Sequence, residues 1–349
     1  MTDKAELIGR KISKLSIEEK EELKKYLEQL IYQDKNTYSY KSKEYKPAEC
    51  PCCKSTRISK NGLNKKKIQT YVCKNCGKFF CDTTGSAIHK IQLKNKWYQF
   101  IELLFDGNYC SVRETARLVG ISKNTSFRWR HKVLTAIKLK VVSFNGIVEL
   151  DDIHFNFSQK GRKHIPNPRK RGKSGKKAGD NDLSVKVFAA MDRIDTLKLD
   201  VVRVGRLKAK DIRRTGLEVM INPQTNILTS DKHPSIKSFT KQMGFKHETF
   251  LAKNHSRKSI YHVNTINERA NRLRHLINED LKGVSTKYLA NYTNWFKLVE
   301  LEKYMKMDYF DLSFHNCTAH SDYHNREINY KNFLNEYSNL PYINPVKWE

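Results

Sequence analysis

The sequence predicts a mixed α/β fold: one sheet flanked by helices over residues 143–300. A small cysteine-clipped ribbon and a helix-turn-helix precede it. Three observations carry this reading. Cys50-x2-Cys53 is followed, after nineteen intervening residues, by Cys73-x2-Cys76. That spacing suits two knuckle turns closing one tetrahedral zinc site. Residues 95–139 repeat apolar side chains at helical spacing around a tight Gly120 turn. From Gly146 onward the order is strand, strand, strand, helix, strand, helix, strand, helix, which suits a mixed sheet.

Length and charge bound the function. The chain has 349 residues, with Lys plus Arg at 66 and Asp plus Glu at 37, a net charge of +29. That length predicts two to four domains. The excess charge points to a polyanion, with nucleic acid first. No run of about 18 apolar residues occurs, so no membrane span is expected. The N-terminus, Met1-Thr-Asp-Lys-Ala-Glu6, lacks an apolar signal core. The expected compartment is the cytoplasm, in association with the nucleoid. Reduced thiols there favour a zinc clip over disulfides. Cys52, Cys81, Cys110 and Cys317 are left over; Cys52 sits inside the first knuckle and competes as a ligand, while spacing favours Cys53.

Residues 1–45 read as a polar helical region. Ser16-Ile-Glu-Glu19 has capping-box form, and Leu23, Leu27 and Leu30 make one apolar stripe. Residues 46–89 are the ribbon, with Tyr71, Phe79 and Phe80 as its core and Thr83-Thr-Gly85 as its exit. Residues 90–142 are the helix-turn-helix. Ala116, Leu118 and Ile121 are its expected core, and Ser122 caps its second helix. That helix carries Lys123, Asn124, Arg128, Arg130 and Lys132, residue types that read grooves or hold phosphates.

In the sheet region, strands are expected over 146–157, 184–191, 196–203, 226–229 and 246–250. Helices are expected over 208–220, after Pro234, and over 264–281. Residues 158–182 carry Arg162, Lys163, Arg169, Lys170, Arg171, Lys173, Lys176 and Lys177 with no regular period. With Lys160, they read as a basic loop that holds DNA phosphates. Residues 301–349 are a Tyr-, Asn- and His-rich tail with no assigned role.

The acidic positions are the chemical signal. Asp151 and Asp152 lie within the first strand and point to opposite faces, and parity alone does not say which faces a site. Asp231 follows the apolar Ile227-Leu228 at a strand end, where the alternative is a plain turn or cap. Carboxylates there cost free energy without a counter-ion, and a divalent metal supplies one. On the long helix, Ile266, Ala270, Leu273 and Ile277 form the core stripe. Asn267 lies beside that stripe, Glu268 points nearly opposite, and Arg274 lies seven residues on, in line with Asn267.

These residues carry a resemblance. Cys50-Pro-Cys-Cys53, Tyr71-Val-Cys-Lys-Asn-Cys-Gly-Lys-Phe-Phe80, Val148-Glu-Leu-Asp-Asp152, Leu228-Thr-Ser-Asp231 and His262-Val-Asn-Thr-Ile-Asn267 are similar to bacterial insertion-sequence transposases. Lys282-Gly-Val-Ser-Thr-Lys-Tyr-Leu-Ala-Asn-Tyr-Thr-Asn-Trp-Phe296 resembles the downstream signature of that family. The resemblance, to the ISXO2-like class, covers roughly residues 46–300. It implies an RNase H-like catalytic domain with an Asp-Asp-Asn triad, here Asp151, Asp231 and Asn267, and Arg274 as the basic residue. Asp152 stands where the family has Glu and Arg274 where it has Lys, and Arg differs from Lys at a phosphate.

The implied cofactors are structural Zn2+ and two catalytic Mg2+ or Mn2+ ions. The implied reaction is cleavage at the 3′ ends of an element, then strand transfer into target DNA. The ribbon and helix-turn-helix would recognise terminal inverted repeats, and two ends imply a dimer or higher assembly. Two other classes compete. One is a DNA-binding regulator, or an inactive derivative, with structural acids. The other is a metal-dependent nuclease that cuts without joining.

Overall fold

The computed structural model describes residues 15–21, 47–65, 68–81, 84, 91–105, 109–136, 143–165, 184–250, 256–257 and 260–305. The chain divides into two compact units, Met1–Asp82 and Thr83–Glu349. In the first, the capping box forms: Ser16 N–H donates to Glu19 Oε2 at 2.8 Å, and Glu19 N–H donates to Ser16 Oγ at 3.2 Å. The Leu23, Leu27 and Leu30 stripe lies outside the described residues.

The ribbon is a three-stranded antiparallel sheet of β1 (Ile58–Leu63), β2 (Gln69–Cys73) and β3 (Phe79–Cys81). Its core is Cys50, Tyr71, Cys73 and Phe80. Phe79, expected inside, is 67% exposed. The strand period of two sends it to the face opposite Phe80.

The second unit opens with α1 (Lys94–Phe105), α2 (Val112–Val119) and α3 (Lys123–Ala136). Ser111 caps α2 by accepting the Glu114 N–H at 3.2 Å, and Gly120 ends it at φ +66°. That left-handed position favours glycine. Ser122 Oγ accepts the Thr125 N–H at 3.0 Å. Leu118, expected in the core, is 48% exposed, and Val119 takes the inward position.

The main sheet contains β4 (Ile147–Asn156), β5 (Ser184–Asp192), β6 (Leu197–Val204), β7 (Ile227–Asp231) and β8 (His247–Phe250). Its order is β6-β5-β4-β7-β8, with β4, β5 and β6 antiparallel and β7 and β8 parallel to β4. Three meandering strands followed by two parallel ones is the RNase H-like arrangement. Asp192 makes the β5–β6 turn by accepting the Ile194 and Thr196 amides on Oδ1.

The helix expected over 208–220 is two short pieces, α4 (Ala209–Arg213) and α5 (Leu217–Met220), separated by Gly216 at φ +66°. α6 (Pro234–Met243) connects β7 to β8. A two-stranded ribbon, β9 (Ser256–Arg257) and β10 (Tyr261–His262), was not expected. α7 (Asn264–His275) runs into a π turn at Leu276–Asp280 instead of continuing as one helix. A 3-10 turn (Thr286–Tyr288) leads into α8 (Leu289–Met305).

The two faces of the sheet are covered differently. Ile153, Phe155, Val187 and Ala189 pack with α1, α3, α7 and α8 in one core. Val148, Leu150, Phe188 and Ala190 pack with α4 to α6 in the other. The helix-turn-helix therefore shares its core with the sheet. Trp295 Nε1–H on α8 donates to the Leu104 carbonyl on α1 at 2.7 Å, and the His131 ring stacks on Tyr288 at 3.8 Å.

Candidate active site

Asp151 and Asp231 lie on adjacent parallel strands in one register. β4 pairs with β7 as Ile147↔Ile227, Val148↔Leu228 and Glu149↔Thr229. Two residues further, the same register sets Asp151 beside Asp231. Parallel strands in register project such residues to one face, with backbones about 4.8 Å apart. β7 ends at Asp231 while β4 continues to Asn156, so the two acids meet where β4 loses this neighbour. A crevice at the carboxyl end of parallel strands is a common ligand position.

The face is settled by Glu149, two residues before Asp151. Its Oε2 accepts the Ile266 N–H of α7 at 2.8 Å. Asp151 shares that parity and faces α7. Asp152 points the other way, into the second core, where Lys186 Nζ donates to it at 3.0 Å. His154 and His233 lie 3.5 and 3.9 Å from it. Asp152 therefore does not join Asp151 on the α7 face.

Asn267 flanks the buried stripe of α7 as its helical angle requires. Ile266, Ala270, Leu273 and Ile277 are buried. On the opposite edge of the stripe, Arg269 bridges to Asp195 at 3.0 Å and to Glu300 of α8 at 3.5 Å. Asn267 and Arg274 occupy the other edge. Arg274 acts electrostatically on Asp151 from there, and its Nη1 donates to Asn271 Oδ1 at 2.9 Å. The Asn267 side chain makes no hydrogen bond among the described residues. It lines a groove of about 680 Å³ along α7 together with Asn264, Glu268, Asn271, Tyr109 and Phe296, and neither Asp151 nor Asp231 lines that groove.

Electrostatics mark the same spot. Burial, with the charges of Asp152 and Asp231 added, pushes the Asp151 carboxyl up to about 7, while the Asp152 amide and Arg274 oppose that rise. Desolvation and like charge both disfavour the ionised form, and a cation between the acids would relieve both. Asp231 Oδ1 accepts the His233 N–H at 3.0 Å, so the turn role is present on one oxygen. Oδ2 accepts no hydrogen bond among the described residues. The donor set, two carboxylates and an amide oxygen beside an arginine, suits a hard divalent cation and a phosphate.

The four-cysteine group also assembles. The Sγ atoms of Cys50, Cys53, Cys73 and Cys76 all lie within 4.8 Å of one another. Cys50 and Cys76 are 3.7 Å apart, and Cys53 and Cys73 are 3.6 Å apart. The Cys76 amide leads in lowering the Cys73 thiol to about 6, which favours a thiolate. Cys52 is exposed and outside the group, so the geometry selects Cys53.

Among the basic candidates, Lys123, Asn124 and Arg128 are exposed on α3 and Lys132 is half-buried. Arg130, expected at DNA, is a correction: it is 1% exposed. Its Nη2 donates to the Cys110 carbonyl at 2.7 Å and to Thr115 Oγ1 at 2.9 Å, and its guanidinium lies 5.1 Å over the Trp295 ring. Arg162 and Lys163 are exposed. Arg169, Lys170, Arg171, Lys173, Lys176 and Lys177 lie outside the described residues. Glu149, which holds the Ile266 amide and pairs with Arg193, was not singled out from the sequence. Its only signal was sharing the parity of Asp151.

Residues 143–297 match the family model of the ISXO2-like transposase domain. That segment is thus similar to a transposase domain of the insertion-sequence class. A curated relative, an uncharacterized protein in transposable element ISH50 of Halobacterium salinarum, is 27% identical over 146 residues. The match covers 41% of this chain, and the chain spans about half (49%) of that relative's length. Two solved structures overlap weakly. One is the Mos1 strand transfer complex (TM-score 0.26, 13% identity, 64% of this chain and 74% of that chain). The other is the Mos1 transposase paired-end complex with left transposon end (TM-score 0.26, 11% identity, 64% and 79%). At these scores the fold rests on the strand order alone.

Proposed function

We propose that this protein is a DNA transposase that binds the terminal inverted repeats of an insertion sequence, cleaves at their 3′ ends and joins them to target DNA. The observation that supports this reading is the parallel β4–β7 register, which pairs Glu149 with Thr229 and extends to Asp151 and Asp231, within residues that match a transposase-domain family.

Asp151 and Asp231 would hold Mg2+ or Mn2+, and Asn267 would complete the shell with a neutral oxygen. Bound there, the two ions supply water activation and charge neutralisation at phosphorus. Arg274 would hold a non-bridging phosphate oxygen in a bidentate grip. In cleavage, the water oxygen bonds to phosphorus, the bond to the 3′ oxygen breaks, and the 3′-OH departs with a proton. In joining, that hydroxyl attacks a target phosphodiester and displaces another 3′ oxygen, so one phosphodiester replaces another. Both steps move along one line at phosphorus, so the residues chiefly position the phosphate and offset its charge.

Cys50, Cys53, Cys73 and Cys76 would hold a structural Zn2+ that orders the ribbon. The exposed part of α3 would read the ends. Two ends brought together require a second copy of the chain. Among the described residues, no helix is long and apolar enough to cross a membrane.

The test uses labelled element ends and a plasmid, in zinc-containing buffer with Mg2+ present or omitted. Joined products that require Mg2+ support the proposal. Cut products alone indicate a nuclease, and binding without cutting indicates a regulator.

A further inference from the structure

The segment Lys282–Tyr288 belongs to the motif shared with transposases, yet none of its residues approaches Asp151 in any contact described above. Its neighbour is the second helix of the helix-turn-helix. On α3, Asn124, Phe127, Arg128, His131 and Thr135 fall within an arc of about 100°. The first half of this face, with Lys123, is exposed. The second half is covered by the sheet unit: His131 stacks on Tyr288 at 3.8 Å, and Asn291 Nδ2 donates to Thr135 Oγ1 at 3.0 Å. Phe127, 40% exposed, marks the boundary, its ring 5.6 Å from Tyr288. Lys287 Nζ lies 4.8 Å over the outer partner in this stack, the Tyr288 ring.

A second connection brings in the start of the basic loop. Thr286 N–H donates to the Ser158 carbonyl at 2.9 Å, and Ser158 N–H donates to Thr286 Oγ1 at 2.7 Å. Lys160, expected at a phosphate, instead donates to the carbonyls of Leu281, Lys282 and Gly283 at 3.1, 3.0 and 2.5 Å. This clamp fixes the chain that leads to exposed Arg162 and Lys163. Residues 123–136, 158–165 and 281–288 contain no Asp or Glu.

We infer that Lys287 and its 3-10 turn form a duplex-DNA contact surface continuous with the exposed half of α3. The occupant follows from charge and shape. Three acid-free segments meet at the end of a recognition helix, and a duplex on Asn124 and Arg128 runs onto Tyr288 and Lys287. Recognition and catalytic elements then hold the same DNA through one rigid seam. This rests on the DNA-binding part of the proposed function and not on its chemistry.

Binding is measured in zinc-containing buffer without Mg2+ by anisotropy, with a labelled duplex of arbitrary sequence and about three helical turns, across a salt series. One phosphate contact contributes about 0.9 to the slope of log K against log salt. Lys287→Ala is expected to lower that slope by about one, as Arg128→Ala does, and Lys287→Glu to weaken binding further. Unchanged slope and affinity for Lys287→Glu, with Arg128→Ala weakened, would overturn the inference, as would a wild-type chain that does not bind the duplex. Should the variants misfold, acetylation of the wild-type chain read by mass spectrometry decides: duplex protects Lys287, or the inference fails. Protection together with absent joining would sink the proposed chemistry and leave this surface standing.

Discussion

Glu149 and Ile266 are joined across 117 positions by one hydrogen bond, from the Ile266 N–H to Glu149 Oε2 at 2.8 Å. Glu149 is fully buried, and Arg193 pairs with its other oxygen while also donating to Thr265 Oγ1 at 3.0 Å. The carboxylate thus ties β4, two residues before Asp151, to the first turn of α7, one residue before Asn267. It fixes the first turn of α7 against β4.

Glu149→Ala should therefore cost both stability and activity. The change removes the buried acceptor of the Ile266 amide and the partner of Arg193, which is 30% exposed, at about 1–3 kcal/mol. Glu149→Gln keeps an acceptor for the Ile266 amide and should lose less. Urea unfolding checks the order: wild type, then Gln, then Ala. An Ala variant as stable as wild type would remove the tie from the account.

His131 makes the seam between α3 and the sheet unit sensitive to acid. Burial, then the charges of Arg130 and Lys287, lower it to about 3 from its ordinary 6.5. The folded pKa lies below the unfolded one, so the contribution is present above pH 6.5 and is lost as pH falls toward 3. Comparing thermal unfolding of wild type and His131→Gln at pH 7.5 and pH 4.5 isolates it. The wild type should lose more stability on acidification, by up to a few kcal/mol. Equal losses would contradict the neutral buried ring.

The four-cysteine group predicts one zinc per chain, with Cys52 outside it. Cys52→Ser should leave the bound zinc unchanged, and Cys53→Ser should reduce it. Metal analysis after gel filtration reads both. Chelation should unfold the ribbon, because structural zinc supplies much of the folding free energy of such modules.

Arg130 and Arg128 should separate by phenotype. Arg130→Ala removes a buried guanidinium together with its hydrogen bonds to Thr115 Oγ1 and the Cys110 carbonyl, so unfolding should shift by more than 1 kcal/mol. Arg128→Ala should weaken DNA binding and leave stability within about 0.5 kcal/mol. Reversed phenotypes would contradict the orientation of α3.

The contrast between these arginines shows where the sequence was readable. Cysteine spacing, the order of strands and the periodicity of α7 are local signals, and each led to the observed element. Asp231 at a strand end and Asn267 beside a core stripe followed from strand and helix geometry. Arg130 did not, because its partner ring, Trp295, lies far along the chain and nothing local distinguishes an inward arginine from an outward one. Leu118 and Phe79 failed similarly, since adjacent apolar residues compete for one inward position. The choice between Asp151 and Asp152 needed the position of α7, and Glu149 became visible only with it.

In the proposed chemistry, Asp151 and Asp231 act together at a metal site. The most direct measurement is joining of labelled element ends to a plasmid in Mg2+ by wild type, Asp151→Asn and Asp231→Asn, with DNA binding measured in parallel. Wild type should join, and both variants should bind DNA as wild type does while forming no joined product. Full joining by either variant would contradict the assignment.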